Sequence, residues 1–294
     1  MAVGFLRKWF GTGRPASKEV EEAQAELERL AKERPTLQGP ARVLRDLLPL
    51  CLPDQNLTHS LTLDRDSTQA KLVEGVPLLR NESLVIDARV FKDCWLEICK
   101  IVGHHQEGQE ARDLGHAQRQ DRLDPQELVN AVLTGQPETL LHFWESNNVD
   151  PSLAAMVLRM TLFPLFTSIS QAMLPLREGV AWQRGYCPTC GSWPLLGEYR
   201  GLDQTRFLRC GLCAASWEAA RLYCPFCGTR DHEQLGYLQV EGEETSYKAA
   251  TCSQCQGYVK MLSTLTALPP LALLVADVAT MHLDLIAAER GFCV

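Results

Sequence analysis

The sequence predicts a multidomain protein of α and β structure: an all-helical N-terminal domain, two small β-modules in tandem, and a C-terminal helix that packs back. Three observations predict it. Helical periodicity with recognisable caps and stops dominates as far as residue 175. From Tyr186 the texture changes to short aromatic and β-branched runs between Gly-rich turns, as in RFLRC and SYKAATC, which read as strands. The stretch YCPTCGSWP at Tyr186 is also nearly repeated thirty-seven residues later as YCPFCGTRD at Tyr223, and a second CxxC follows each copy.

Residues 1–14 are expected to form a flexible N-terminus, and the helical domain to occupy 15–182. In ASKEVEEAQAELERLAKERP, Val20, Ala23, Leu27, Leu30 and Ala31 share one face, Ser17 is the candidate N-cap and Pro35 the stop. A second helix spans about Arg89 to Val102, with Val90, Phe91, Leu96, Ile98 and Val102 supplying its apolar surface. Cys94 and Cys99 fall inside it; five residues apart, they point in different directions and make poor co-ligands. DPQELVNAVLTG carries Asp124 as N-cap, Pro125 at the first helical position, Glu127 two further on and Gly135 past the end; Asp150 and Pro151 repeat the start.

The longest apolar run, from Leu153, has membrane-spanning length, but Arg159 and Pro164 interrupt it, so a buried helix kinked at the proline is expected and no membrane span. LPLREGVAWQRGY, from Leu174, breaks the periodicity and marks the boundary. The modules then cover 183–222 and 223–266. A closing helix within 267–294 places Val278, Met281, Leu285 and Ala288 at helical spacing and ends at Gly291.

Composition narrows the function. With 46% hydrophobic and 22% charged residues in 294, the chain reads as ordinary globular protein rather than disordered or membrane protein. The net charge is −7, and residues 183–262 hold eight Lys and Arg against eight Asp and Glu. That neutral cysteine region lacks the basic face that phosphate recognition needs, which disfavours a zinc-ribbon nucleic-acid binder. The N-terminal stretch has no apolar core of signal-peptide length and the sequence no Arg-Arg pair, so a cytoplasmic location is expected. Of twelve cysteines, eight lie in CxxC pairs, which in a reducing compartment points to metal ligation; Cys51, Cys94, Cys99 and Cys293 are scattered and read as incidental thiols.

The chemistry rests on those pairs. A tetrahedral dication takes four soft ligands, and two CxxC turns joined by a β-ribbon supply four thiolates with little strain. Nineteen residues separate Cys190 from Cys210 and twenty-four separate Cys227 from Cys252, each suited to a hairpin excursion. Gly191 and Gly228 directly follow their pairs and can take positive φ, while Pro188 and Pro225 preset the turn. Ala214 replaces the glycine in one plainer pair and Gly257 comes one position late in the other, so those turns are expected to be less regular. Trp193, Tyr199, Phe207 and Trp217, with Tyr237, Tyr247 and Tyr258, read mainly as the small core of each module. His104, His105 and His116 read as a solvated helix end or loop. Three roles for the cysteines stay open at this point: a structural staple, a rubredoxin-like redox centre, and thioredoxin-like dithiols, the last at odds with the flanking Pro and Gly. No HExxH, nucleophile elbow or P-loop is present, so an enzyme is not expected.

The order helical domain, CPTCGSWP, RFLRCGLCAASW, YCPFCG, CSQCQGYVK and VADVATMHLDLIAAERGF resembles the formate dehydrogenase accessory protein family, FdhE. The match is most specific from Cys187 onward, and CAASW at Cys213 departs from the CETEW often found there without touching a ligand. The resemblance implies two tandem rubredoxin-like or zinc-ribbon modules on a helical domain. It implies a cytoplasmic, non-catalytic factor that binds the catalytic subunit of respiratory formate dehydrogenase before twin-arginine export. Carried over by position, Cys187, Cys190, Cys210 and Cys213 would hold one metal, and Cys224, Cys227, Cys252 and Cys255 the other. Iron is the ion the resemblance favours, and zinc satisfies the same sulfur cage.

Overall fold

The structure is a computed structural model describing residues 18–52, 65–106, 109–120, 122–147, 149–240 and 247–293. The flexible segment expected over 1–14 and the Ser17 cap lie outside the described residues. Helix α1 (Lys18–Glu33) buries Val20, Ala23, Leu27 and Leu30, the stripe its spacing predicts, and ends before Pro35. Helices α2 (Gln38–Leu47), α3 (Arg65–Glu74), α4 (Ala88–Gln106) and α5 (Gln109–Arg119) follow. Cys94 and Cys99 are both buried in α4 beside Trp95. His104 is exposed at the end of that helix and His116 on α5, while His105 Nε2 lies 2.8 Å from Asp46 Oδ2.

Helix α6 (Pro125–Thr134) begins and ends as its sequence dictates: the Asp124 side chain accepts from the Gln126 N–H, and Gly135 closes it with φ 66°. After α7 (Pro137–Ser146), Asp150 caps α8 (Pro151–Ala172) by accepting from the Leu153 N–H. Helix α8 is assigned without a break through Pro164. By length and hydropathy it matches a membrane span, but 67% of its most apolar stretch is buried inside the protein, where Phe163 and Phe166 are fully enclosed. The short α9 (Leu174–Arg177) leads into the cysteine region.

Two three-stranded antiparallel ribbons follow: β1 (Pro194–Arg200), β2 (Thr205–Cys210) and β3 (Ser216–Glu218), then β4 (Leu235–Leu238), β5 (Tyr247–Cys252) and β6 (Tyr258–Thr264). They are fused. Strand β1 pairs in parallel with β6, from Leu196↔Lys260 to Arg200↔Thr264, giving one six-stranded sheet of order β3-β2-β1-β6-β5-β4. Three strand spacings, about 14 Å, separate β1 from β4, and the Tyr199 and Tyr237 side chains reach across them to bring their hydroxyls to 3.0 Å.

The closing element departs from its expectation. It is two helices, α10 (Pro270–Ala279) and α11 (Met281–Glu289), bent by 46° at Thr280, whose buried hydroxyl donates back to Ala276 O at 2.7 Å. The break resets the helical phase, so Leu283 and Ala287 are buried while Met281, Leu285 and Ala288 of the predicted stripe face solvent. Gly291 does terminate the chain's last helix, with φ 82°.

One contiguous core runs from Val20 in α1 through Trp95, Trp144 and Phe163 to Cys187, Leu208, Trp217 and Leu274. Helical domain and first ribbon therefore share buried surface. Backbone straps reinforce the join: the Leu78 and Leu79 N–H groups donate to Pro188 O and Thr189 O, each at 2.9 Å, and the Tyr186 hydroxyl donates to Gly75 O at 2.7 Å.

Candidate metal centres

Each ribbon carries two CxxC turns at one end, one just ahead of its first strand and one between its second and third. Cys187–Cys190 precedes β1 and Cys210–Cys213 links β2 to β3; Cys224–Cys227 precedes β4 and Cys252–Cys255 links β5 to β6. The four turns share one construction. The first cysteine's N–H donates to the carbonyl five residues on, at Ser192, Ala215, Thr229 and Gly257, over 2.8 to 2.9 Å. The residue four beyond that cysteine is left-handed in every case: Gly191 (82°), Ala214 (54°), Gly228 (78°) and Gln256 (58°). The Ala214 turn is thus as regular as the glycine turns, against expectation, because Ala214 N also donates to Cys210 O at 3.1 Å as Gly191 does to Cys187. A non-glycine residue accepts this conformation at about 1–2 kcal/mol. The signal was present in the sequence as a count, four residues past each first cysteine, not as a residue type.

All eight sulfurs assemble as two quartets, each with ligand atoms within 4.8 Å of one another. In the first, Cys187 Sγ lies 3.5 Å from Cys213 Sγ, and Cys190 Sγ lies 3.4 and 3.7 Å from Cys210 and Cys213. In the second, Cys224 to Cys255 is 3.6 Å and Cys227 to Cys252 is 3.7 Å. A tetrahedral ion with metal–sulfur bonds of about 2.3 Å requires sulfur–sulfur edges of about 3.8 Å. Both quartets fit such an ion, and no sulfur is mixed across the two halves. All twelve thiols are free. Cys51, Cys94, Cys99 and Cys293, set aside in the sequence, join neither quartet.

Backbone N–H groups are turned toward the sulfurs. Thr189 N–H points at Cys187 Sγ over 3.4 Å, and Leu212 N–H at Cys210 Sγ over 3.4 Å. Burial works to raise the Cys187, Cys210 and Cys213 thiols, but at Cys187 hydrogen bonds from Cys190, Cys210 and Cys213 outweigh it and hold that thiol well below its ordinary value. Cys210 and Cys213 are pushed well above theirs by burial and by hydrogen bonding with Cys187 and Cys190. A dication entering such a site displaces protons that the quartet otherwise shares.

Beneath the first quartet lies a charged cluster that motif reading did not find. Glu198 on β1 is fully buried, paired with Arg209 and Arg200, and Arg209 Nη2 donates to Leu268 O at 2.9 Å and Ala214 O at 3.2 Å. The cluster ties a metal turn to the chain entering α10. On β6, Lys260 does the same for the last two helices, reaching Asp277 Oδ1 at 2.6 Å and Asp284 Oδ2 at 2.8 Å. The aromatics divide: Trp217 and Tyr199 are buried as predicted, whereas Trp193 and Tyr237 are about half exposed, at 50% and 49%.

Comparison with known proteins converges on one group. The family profile "FdhE, central domain" matches residues 186–221 and "FdhE, C-terminal domain" matches 222–293. The Protein FdhE homolog of Stutzerimonas stutzeri is 31% identical over 282 residues, covering 91% of this chain and 84% of that one. The chain belongs to the FdhE family. Within that family the Aquifex aeolicus FdhE homolog is 26% identical across 79% of this chain and 77% of its own. The crystal structure of the FdhE protein from Pseudomonas aeruginosa shares the fold, with a TM-score of 0.62, 24% identity and coverage of 96% and 94% of the two chains. The FdhE assignment thus covers the helical domain as well as the cysteine modules.

Proposed function

We propose that this FdhE-family chain is a cytoplasmic, non-catalytic accessory factor that binds the catalytic subunit of respiratory formate dehydrogenase during assembly and maturation. In this reading Cys187, Cys190, Cys210 and Cys213 ligate one metal ion and Cys224, Cys227, Cys252 and Cys255 a second. The carrying observation is the pair of four-sulfur clusters on one sheet in a chain of this family. When bound, each ion supplies a cross-link between two turns; the chain's own residues supply the surface around it. Half-exposed Trp193 and Tyr237, in a module of neutral charge, suit a protein partner better than nucleic acid. The domain divisions 15–182, 183–222, 223–266 and 267–294 are proposed as functional units within one shared core.

The test is co-purification with the catalytic subunit. Serine replacement of one quartet at a time is expected to lose the complex while circular dichroism retains the helical signal. Unchanged binding after both quartets are replaced refutes a role for the metal centres. A rubredoxin-like redox reading draws support from the ring contacts linking Tyr186, Trp193 and Phe226 between the quartets, at 5.8 and 5.6 Å. Protein purified without air distinguishes the two readings. A red ferric-thiolate band that bleaches reversibly supports the redox reading, and a colourless two-zinc protein refutes it.

A further inference from the structure

The two quartets are built alike but enclosed differently. In the first, the four cysteines are 0 to 1% exposed. Helical-domain residues seal it: Leu78 and Leu79 strap the 187–190 turn, and Gly191 sits so close to Arg80 and Pro77 that an added Cβ would lie 2.9 Å from Arg80 Nη2. On the other turn, Leu195 covers Gly211.

The second quartet stands at the far ribbon. Cys224 and Cys252 are 3% and 1% exposed, but Cys227 is exposed and Cys255 half-buried. An added Cβ at Gly228, beside Cys227, would meet nothing within 4 Å. One flank is covered, since Gly185 backs Pro225 and Trp193 lies against Phe226. The C-terminal segment covers another, with Cys293 N–H donating to Gln256 O at 2.8 Å. The Cys227 side remains open to solvent.

Release of a tetrathiolate ion proceeds by substitution. An incoming donor bonds the metal as one sulfur leaves and takes a proton from solvent; no electron is transferred. That path needs an accessible sulfur. Where all four are sealed, the protein must first open locally, and opening free energies in a core approach that of global unfolding.

We propose that the two centres have different tasks: the first is a permanent staple, and the second is an exchangeable site for a thiophilic divalent cation, opened through Cys227. This rests on the metal-ligation part of the function proposed above and not on the identity of the protein partner.

The experiment uses the full chain loaded with two equivalents of zinc and challenged with excess 4-(2-pyridylazo)resorcinol, whose absorbance reports transferred metal. One equivalent is expected to leave quickly and the other at least about tenfold more slowly, because the sealed site must open locally before its ion can be reached. Cys227→Ser is expected to abolish the fast phase and preserve the slow one. Brief alkylation of the zinc-loaded wild type by iodoacetamide, with peptide mapping, is expected to mark Cys227 before Cys187, Cys190, Cys210 or Cys213; this measurement stands even if the variant folds poorly. Equal release rates, a fast phase that survives Cys227→Ser, or earlier alkylation of the first quartet each overturn the proposal. A chain that takes up no zinc tightly overturns the ligation reading itself, a result distinct from two equal rates.

Discussion

Gly185 is where the linker and the second metal turn come closest, and Gly185→Ala tests how that contact fixes the fold. A Cβ built there would lie 1.8 Å from Pro225 O, 2.4 Å from Pro225 C and 2.6 Å from Pro225 Cα. Carbon and carbonyl oxygen require about 3.3 Å, so one backbone must retreat by about 1.5 Å. All three obstructing atoms are main chain, and no rotamer change relieves them. Pro225 sits between Cys224 and Cys227, in a turn that the hydrogen bond from Cys224 N to Thr229 O holds in place and that the proposed ion would tighten further. The linker is held as firmly, because the Trp217 indole donates to Arg184 O at 3.2 Å and Tyr186 is bonded to Gly75. Overpacking between two such fixed segments costs about 1–3 kcal/mol, and the value here belongs at the upper end.

The assay is urea unfolding of the metal-loaded protein, with Gly39→Ala as control. Gly39 lies exposed in the first turn of α2 and an added Cβ meets nothing within 4 Å, but the following Pro40 disfavours helical backbone at a non-glycine residue, so alanine there is expected to stay within about 0.5 kcal/mol of wild type. Gly185→Ala is expected to lose about 3 kcal/mol, and to weaken the Trp193–Phe226 contact that carries the first turn onto the second. A Gly185→Ala chain as stable as wild type, with the control behaving as stated, refutes the close approach and the rigid apposition argued from it.

Three further outcomes follow from single groups. Asp124→Ala removes the acceptor for the Gln126 N–H and is expected to cost about 1 kcal/mol in the same unfolding assay, with metal content unchanged. Glu198→Gln leaves Arg209, 3% exposed, without its buried counter-charge and is expected to cost about 3 kcal/mol; a loss below about 1 kcal/mol refutes the clamp. Burial pushes the Cys51 and Cys99 thiols up from 9.0 to about 12. The folded state therefore holds those protons after the unfolded chain has lost them. Stability is full below pH 9 and falls as pH rises towards 12, by about 1.4 kcal/mol per unit for each thiol, a slope that Cys51→Ala and Cys99→Ala should each reduce.

The parts legible in the sequence are those decided by local chemistry. Asp124, Asp150 and Gly135 state their caps in one or two residues, the Val20 to Leu30 stripe states its buried face, and the CxxC pairs state their quartets, because each is settled within a few residues or by spacing. What stayed hidden depends on where separate segments meet. The parallel β1–β6 pairing joins residues about sixty positions apart, and nothing in either strand names the other. Glu198 reads as an ordinary polar residue in a short strand until Arg209, Arg200 and Leu268 close round it. Thr280 looks like a tolerable helix interior residue, yet its back-bonded hydroxyl sits at a 46° bend that rotates the predicted stripe to solvent.

The parallel join treats the two ribbons alike, so the unequal exposure of the two quartets has its origin outside the sheet. A free-standing ribbon would leave β1 or β6 as an open edge, which invites pairing with other chains; pairing them together removes both edges and leaves β3 and β4 outermost. That order is symmetric, with one edge in each ribbon; the asymmetry comes from the helical domain, whose Leu78 and Leu79 strap the 187–190 turn of the first ribbon. The first ribbon contributes its cysteines, Leu208 and Trp217 to the shared core, while β4 at the far end keeps Gly236 and Tyr237 exposed. Sealing of one quartet and exposure of the other are therefore consequences of which turn the helical domain covers, with no difference needed in the turns themselves. Identical ligand sets acquire different access because only one of them is built into a wall.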